Sequence, residues 1–242
     1  MYESLQQMQE ICETENKAFW ELVMEEEANE KQNSHEEVFE MMRSMYRAMV
    51  QADENYEDRR SASQMTGGAG ELMAKWNRDE KTLSGPFLGQ VMERALKMAE
   101  SNACMKRIVA APTAGSCGVL PAVMITYQKL EKCPEDEIVK ALFVAAGIGQ
   151  IIASRASIAG AQGGCQAEIG SASAMTAGAL VFLRGGSLQQ IYEATALALK
   201  GLLGLVCDPV AGLVEVPCVK RNVIGAVNAV SCSDMAMAGI TS

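Results

Sequence analysis

All 21 glycines of this 242-residue chain fall after residue 60, and that asymmetry limits what each part can become. A stretch rich in Glu, Met, Leu and Ala, with neither Gly nor Pro to break it, favours helix. Residues 2–30 and 34–51 therefore read as helices. Ser34 and Glu37 form an S-x-x-E capping box at the start of the second. Val38, Met41, Met42, Met45, Met49 and Val50 recur near helical period, an expected core-facing stripe. Beyond residue 60, glycines punctuate apolar runs that predict helices at 70–78, 86–101, 118–131, 169–183 and 219–231. Another starts at Cys133-Pro134-Glu135-Asp136-Glu137, with Pro at its first position, and runs to 154. One more spans 188–203, capped by Ser187 with Gln190. Period-two alternation is nearly absent, and the best strand candidate, Val214–Val216, is short. The expected fold is mainly α, with Gly/Pro/Cys-rich loops carrying function between helices.

Composition narrows the class further. An apolar fraction of 49% excludes wholesale disorder, while only 5% aromatic residues leaves Ala, Val, Leu, Ile and 16 Met to fill the interior. Residues 1–60 hold 16 Asp/Glu against 6 Lys/Arg, whereas 61–242 are nearly balanced. An acidic N-terminal helical segment (1–60) and a larger helical domain (61–242) are thus expected, joined through the polar, Gly-rich turn RRSASQMTGGAG (59–70). The acidic balance argues against a nucleic-acid partner. The opening MYESLQQMQE lacks the basic and apolar regions of a signal peptide. The apolar stretch 138–154 is ended by Arg155, and 194–214 contains Lys200 and Asp208, so neither reads as a membrane span. A soluble, cytoplasmic protein is expected. Its eight cysteines include no C-x-x-C pair, which disfavours a zinc ribbon, a thioredoxin motif or a disulfide framework.

Three loops combine Gly or Pro with Cys and polar side chains: APTAGSCG (111–118), GAQGGCQAEIGSASAM (160–175) and CDPVAGLVEVPC (207–218). Cys165 follows Gly163-Gly164, where the backbone admits something bulky near the sulfur. Cys207 precedes Asp-Pro at an expected helix end and Cys218 follows Pro217, settings common among iron–sulfur ligands. The spacing alone leaves two readings open, a cluster site or three buried thiols. The loops MTGG (Thr66, Gly67, Gly68) and PTAGS (Thr113, Ala114, Gly115, Ser116) offer hydroxyls and amides suited to an amino-acid carboxylate, or are only turns. Glu168 reads equally as a base and as a helix cap. Arg221 and Asn222 could bind carboxylate or cluster sulfur, and for Arg221 a surface salt bridge fits as well. The sole histidine, His35, reads as an exposed helix residue.

Taken in order and spacing, these loops resemble the α chain of iron–sulfur-dependent L-serine dehydratases (L-serine ammonia-lyases) over residues 59–242. The segments GGCQAEIGSASAM and CDPVAGLVEVPC carry most of the likeness. The resemblance implies that Cys165, Cys207 and Cys218 each bind iron in a [4Fe–4S] cluster, leaving one iron open as a Lewis acid for the hydroxyl of L-serine. A base then removes the Cα proton, and pyruvate and ammonia follow. The resemblance also implies a β chain that completes the site, together with any histidines the site needs, and an α region extending beyond Ser242. Pyridoxal phosphate is not expected, because no lysine lies inside the Gly-rich loops. A cluster-dependent cysteine desulfidase and a non-catalytic helical partner subunit remain the alternatives.

Overall fold

The structure, a computed structural model, describes residues 4–242. Its helices are α1 (Leu5–Glu15), α2 (Phe19–Lys31), α3 (His35–Glu54), α4 (Ala69–Arg78), α5 (Gly85–Ala103), α6 (Val119–Glu131), α7 (Glu135–Arg155), α8 (Gly160–Cys165), α9 (Ser171–Leu183), α10 (Leu188–Gly201) and α11 (Cys218–Met237). Among the described residues there is no strand, and the mainly α expectation holds. Val214–Val216 lies in an irregular loop with no strand to pair with.

Helix α9 organises the rest. Every residue from Ser171 to Val181 is buried, so it needs partners on all sides. It packs on α7, α10, α11 and α6, with α2 and α3 outside α7 and with α5 joining α4, α6 and α11. Small residues permit these close approaches. A Cβ on Gly178 would lie 2.3 Å from Ile148 Cδ1 of α7 and 3.0 Å from Thr195 Oγ1 of α10. By length and composition α7 could cross a membrane, with mean hydropathy 1.5 over 18 residues, but 56% of that window is buried inside the protein. One buried apolar cluster takes in residues of the acidic N-terminal helices, such as Met8, Phe19 and Tyr46, together with those of α5 to α11.

Several boundaries differ from expectation. The expected first helix (its start at residues 2–3 lies outside the described residues) divides into α1 and α2. Asn16 takes a left-handed conformation at φ 51°, which ends α1 and which Asn tolerates better than most residues. Ala18 N–H then donates to Glu21 Oε2 at 2.8 Å and starts α2. The α3 stripe is also rotated. Val38, Tyr46, Met49 and Ala52 are buried, whereas Met41 and Met45 are 46% and 48% exposed. Tyr46 claims the inner face because its hydroxyl reaches Gln128 Oε1 of α6 at 2.5 Å, satisfying a polar group that burial would otherwise penalise. The capping boxes at Ser34 and Ser187 form as expected. Pro134 is the N-cap of α7 rather than its first residue. Helix α11 runs six residues past 231, since Cys232, Ser233 and Ala236 keep its buried face going.

Gly178→Ala should lower the unfolding free energy by about 1–3 kcal/mol, because the new methyl meets packed atoms on two helices. Denaturant titration checks this. Ile148→Val, which removes the nearest contact, should recover part of the loss in the double variant.

Candidate active site

The three cysteines named above come from separate segments and meet at one end of α9. Gly164, at φ 64° and ψ −159°, breaks α8 just before Cys165. From Cys165 the chain is helical again, through a π-helical turn (Gln166–Gly170) into α9. The expected start near Ile169 is therefore moved back four residues. Such π turns insert a residue into a helix and recur at functional sites. A Cβ on Gly164 would stand 3.2 Å from Cys207 N and 3.4 Å from Cys207 Cβ. Glycine thus lets the Cys207 segment lie directly against this backbone. Cys218 is the first residue of α11. Cys207 itself lies six residues past the end of α10, not at a helix end.

Arg221 ties these pieces together. Its Nη1 donates to Cys165 Sγ and to the Val206 carbonyl, both at 2.8 Å, and its Nη2 donates to Asp208 Oδ1 at 2.6 Å. Gln166 N donates to Leu205 O at 3.2 Å, and Val210 N to Val216 O at 2.9 Å, closing the 207–218 loop. Burial pushes the Cys218 thiol up to about 11, helped by the neighbouring Cys165 and Cys207. Burial also raises Cys165, and Arg221 opposes that shift. Two helical segments begin at Cys165 and Cys218, so their positive ends face sulfur and favour a thiolate once a cation replaces the proton. Among the described residues no three His, Cys, Asp or Glu side chains stand close enough to hold a single metal ion.

Beside the cysteines lies the 111–118 loop, with one 3-10 turn at Ala114–Ser116. Glu168, in the π turn, places its carboxylate over this loop: a Cβ on Gly115 would lie 2.8 Å from Glu168 Oε2. A Cβ on Gly160 would come to 2.6 Å of the same oxygen. Among the described residues no hydrogen bond reaches that carboxylate, and Glu168 caps no helix because the helical turn runs through it. Asn222, 1% exposed, accepts from Gly118 N at 2.8 Å and donates to the carbonyls of Gly115 (2.9 Å) and Cys218 (3.0 Å). Its amide locks the loop to α11 and is fully engaged within the protein. Ser116 is fully buried, its hydroxyl 3.2 Å from Thr113 Oγ1.

The family model for the serine dehydratase alpha chain matches residues 14–242. This chain belongs to that family. It is 41% identical to the probable L-serine dehydratase alpha chain of Bacillus subtilis, over the whole of this chain and 81% of that protein. It is 36% identical to the L-serine dehydratase alpha chain of Peptoniphilus asaccharolyticus, over the whole of this chain and 84% of that one. L-serine dehydratase TdcG of Escherichia coli is 47% identical over 59% of this chain, but that match takes in only 32% of TdcG. Membership thus extends through most of the acidic helices, well before residue 59.

Within this alpha-family chain the MTGG loop has a setting of its own. Thr66 is 2% exposed, and its hydroxyl donates to Glu215 Oε2 at 3.0 Å. Gly67 (φ 130°) needs to be glycine, since a Cβ would lie 2.3 Å from Arg59 O. Past Gly68, the amides of Ala69 and Gly70 donate to the Glu100 carboxylate at 2.8 and 3.1 Å. Sequence reasoning missed both acids. Glu100 is a lone carboxylate among apolar and small residues, and Glu215 stands between two valines. An acid flanked in that way is the signal that could have found them. Of the remaining five cysteines, Cys117 belongs to the 111–118 loop, buried with its Sγ near Met98 O.

In the metal-free protein near pH 7, iodoacetamide should modify exposed Cys207 about tenfold faster than buried Cys165 or Cys218. Peptide mass mapping over time reads the order.

Proposed function

We propose that this chain is the catalytic alpha subunit of an L-serine dehydratase, converting L-serine to pyruvate and ammonia. The relatives named L-serine dehydratase support the substrate. One structural observation supports catalysis in this chain: three thiols from separate segments meet beside a carboxylate that no hydrogen bond reaches among the described residues.

Cys165, Cys207 and Cys218 would hold a [4Fe–4S] cluster. A polynuclear cluster takes its cysteines at separate corners, which suits three thiols that neighbour one another. The donor set also fits in charge, since Arg221 and two helix starts favour an anionic group. When bound, the cluster supplies Lewis acidity to the serine hydroxyl. The other work falls to the protein. Glu168 is the base we assign to the Cα proton: without a hydrogen bond among the described residues, it lies against Gly115 of the turn where substrate would sit. Asn222 holds that turn in register with Cys218. Loss of the Cα proton and of water yields aminoacrylate, which tautomerises and hydrolyses to pyruvate and ammonia. The water lost in the first step is regained in the last.

A beta-type chain would complete the site. The only histidine of this chain, His35, is exposed at the start of α3, so imidazole chemistry would have to come from elsewhere. The restriction of the TdcG match to about a third of that protein agrees with a second region in longer relatives.

Purified without oxygen alongside a beta-type partner, the chain should carry about four iron and four sulfide per alpha subunit and turn over L-serine. Cys207→Ser should lose both iron and turnover. Glu168→Gln should keep iron while kcat falls by about 10²–10⁴. Absence of iron, or a fully active Glu168→Gln protein, would overturn the assignment.

A further inference from the structure

Glu215 lies in the loop between Cys207 and Cys218, yet its side chain serves a different segment. The residue is 7% exposed. One carboxylate oxygen, Oε2, accepts from Ser61 Oγ at 2.6 Å, Ser63 Oγ at 2.6 Å and Thr66 Oγ1 at 3.0 Å. Three hydroxyls within six residues thus converge on one buried oxygen supplied from about 150 positions away. Among the described residues these three are the hydrogen bonds that join the two segments. Charge-assisted bonds of this kind are stronger than neutral ones, and their loss strands buried hydroxyls.

The 61–66 turn is shaped around that carboxylate. Ser61 N donates to Thr66 O, and Gln64 N to Ser61 O, both at 3.0 Å. Met65 N donates to Ser63 Oγ at 3.1 Å, so an oxygen held by Glu215 also fixes a backbone amide. Directly after Thr66 come Gly67 and Gly68, both at positive φ. Past them, Glu100 pins the amides of Ala69 and Gly70. The glycine pair therefore hangs between two buried carboxylates. Glu100 belongs to α5, inside the helical body. Glu215 belongs to the cysteine loop, with its own carbonyl accepting from Val219 N at 3.0 Å just past Cys218.

Only one of these two anchors can move with the cysteines. We infer that Glu215 is a positioning residue that couples the three-cysteine loop to the hydroxyl- and glycine-bearing loop at 59–68. Whatever orders residues 207–218 thereby orders the turn at 61–66 and sets the placement of Gly67-Gly68. This rests on the proposed reading of the site: bound cluster would prepare the neighbouring loop for the amino-acid substrate. Among the described residues the Glu215 carboxylate makes its hydrogen bonds to Ser61, Ser63 and Thr66 alone, and its effect passes through them.

The test uses the alpha chain with its beta-type partner, with the cluster present and after anaerobic chelation, as wild type, Glu215→Gln and Glu215→Asp. Hydrogen exchange at Ser61, Gln64 and Met65 is the main readout. In wild type, chelation should speed exchange at these amides about tenfold while α5 and α9 stay protected. Glu215→Gln should exchange faster than chelated wild type, with or without cluster, keep wild-type iron content, and raise the KM for L-serine about tenfold with a smaller change in kcat. Glu215→Asp, which keeps the charge on a shorter arm, should recover part of the protection. Wild-type protection in Glu215→Gln overturns the inference. So does loss of protection throughout the helices, which would mean a general folding role. Wild-type protein without iron would defeat the proposed function instead. In that case Glu215→Gln against iron-free wild type still decides the clamp, and equal exchange at 61–66 overturns it.

Discussion

Helix α9 has no face left for water, and the other helices are arranged by that fact. A helix apolar on every side recovers its hydrophobic free energy only if neighbours surround it. Here α7, α10, α11 and α6 do so, and they come close because glycines and alanines line the contacts. The N-terminal end of the same helix carries the π turn with Cys165 and Glu168. This enclosed helix therefore ends at the candidate site, which suits a site whose groups must keep fixed distances.

What gathers at that end is held by hydrogen bonds from two neighbouring side chains of α11. Arg221 links the sulfur of Cys165 to the backbone before Cys207. Asn222, the next residue on α11, links Cys218 to the 111–118 turn. Adjacent residues on one helix thus serve opposite sides of the site. Glu215 and Glu100 do the same for the 59–70 segment from two different directions. Each of these groups is buried or nearly so and makes two or more hydrogen bonds, as buried polar networks must.

Helix type and approximate helix limits were legible in the residues, because Glu/Met/Ala-rich runs, Gly-rich turns and S-x-x-E/Q caps are local signals. The errors fell where a distant partner chose between locally equal options. The expected stripe of α3 takes in Met41 and leaves out Tyr46, and the bond to Gln128 accompanies an inward-pointing Tyr46. Residues 160–168 read as loop because of their glycines, yet a single glycine break at Gly164 lets helix begin again at Cys165. Thr66 and Asn222 offered polar groups for a ligand, and the fold engages both with the protein itself.

The sequence by itself determined a mainly helical protein, the three cysteine-bearing loops and the family to which they point. Those properties depend on residue type and spacing along the chain, which are local. Only the tertiary structure decided which loops meet, that Arg221 faces Cys165, and that Glu215 reaches back to Ser61, Ser63 and Thr66. Those pairings are set by the packing of helices around α9, and hydrogen bonds between residues about 150 positions apart leave no periodic trace in the sequence.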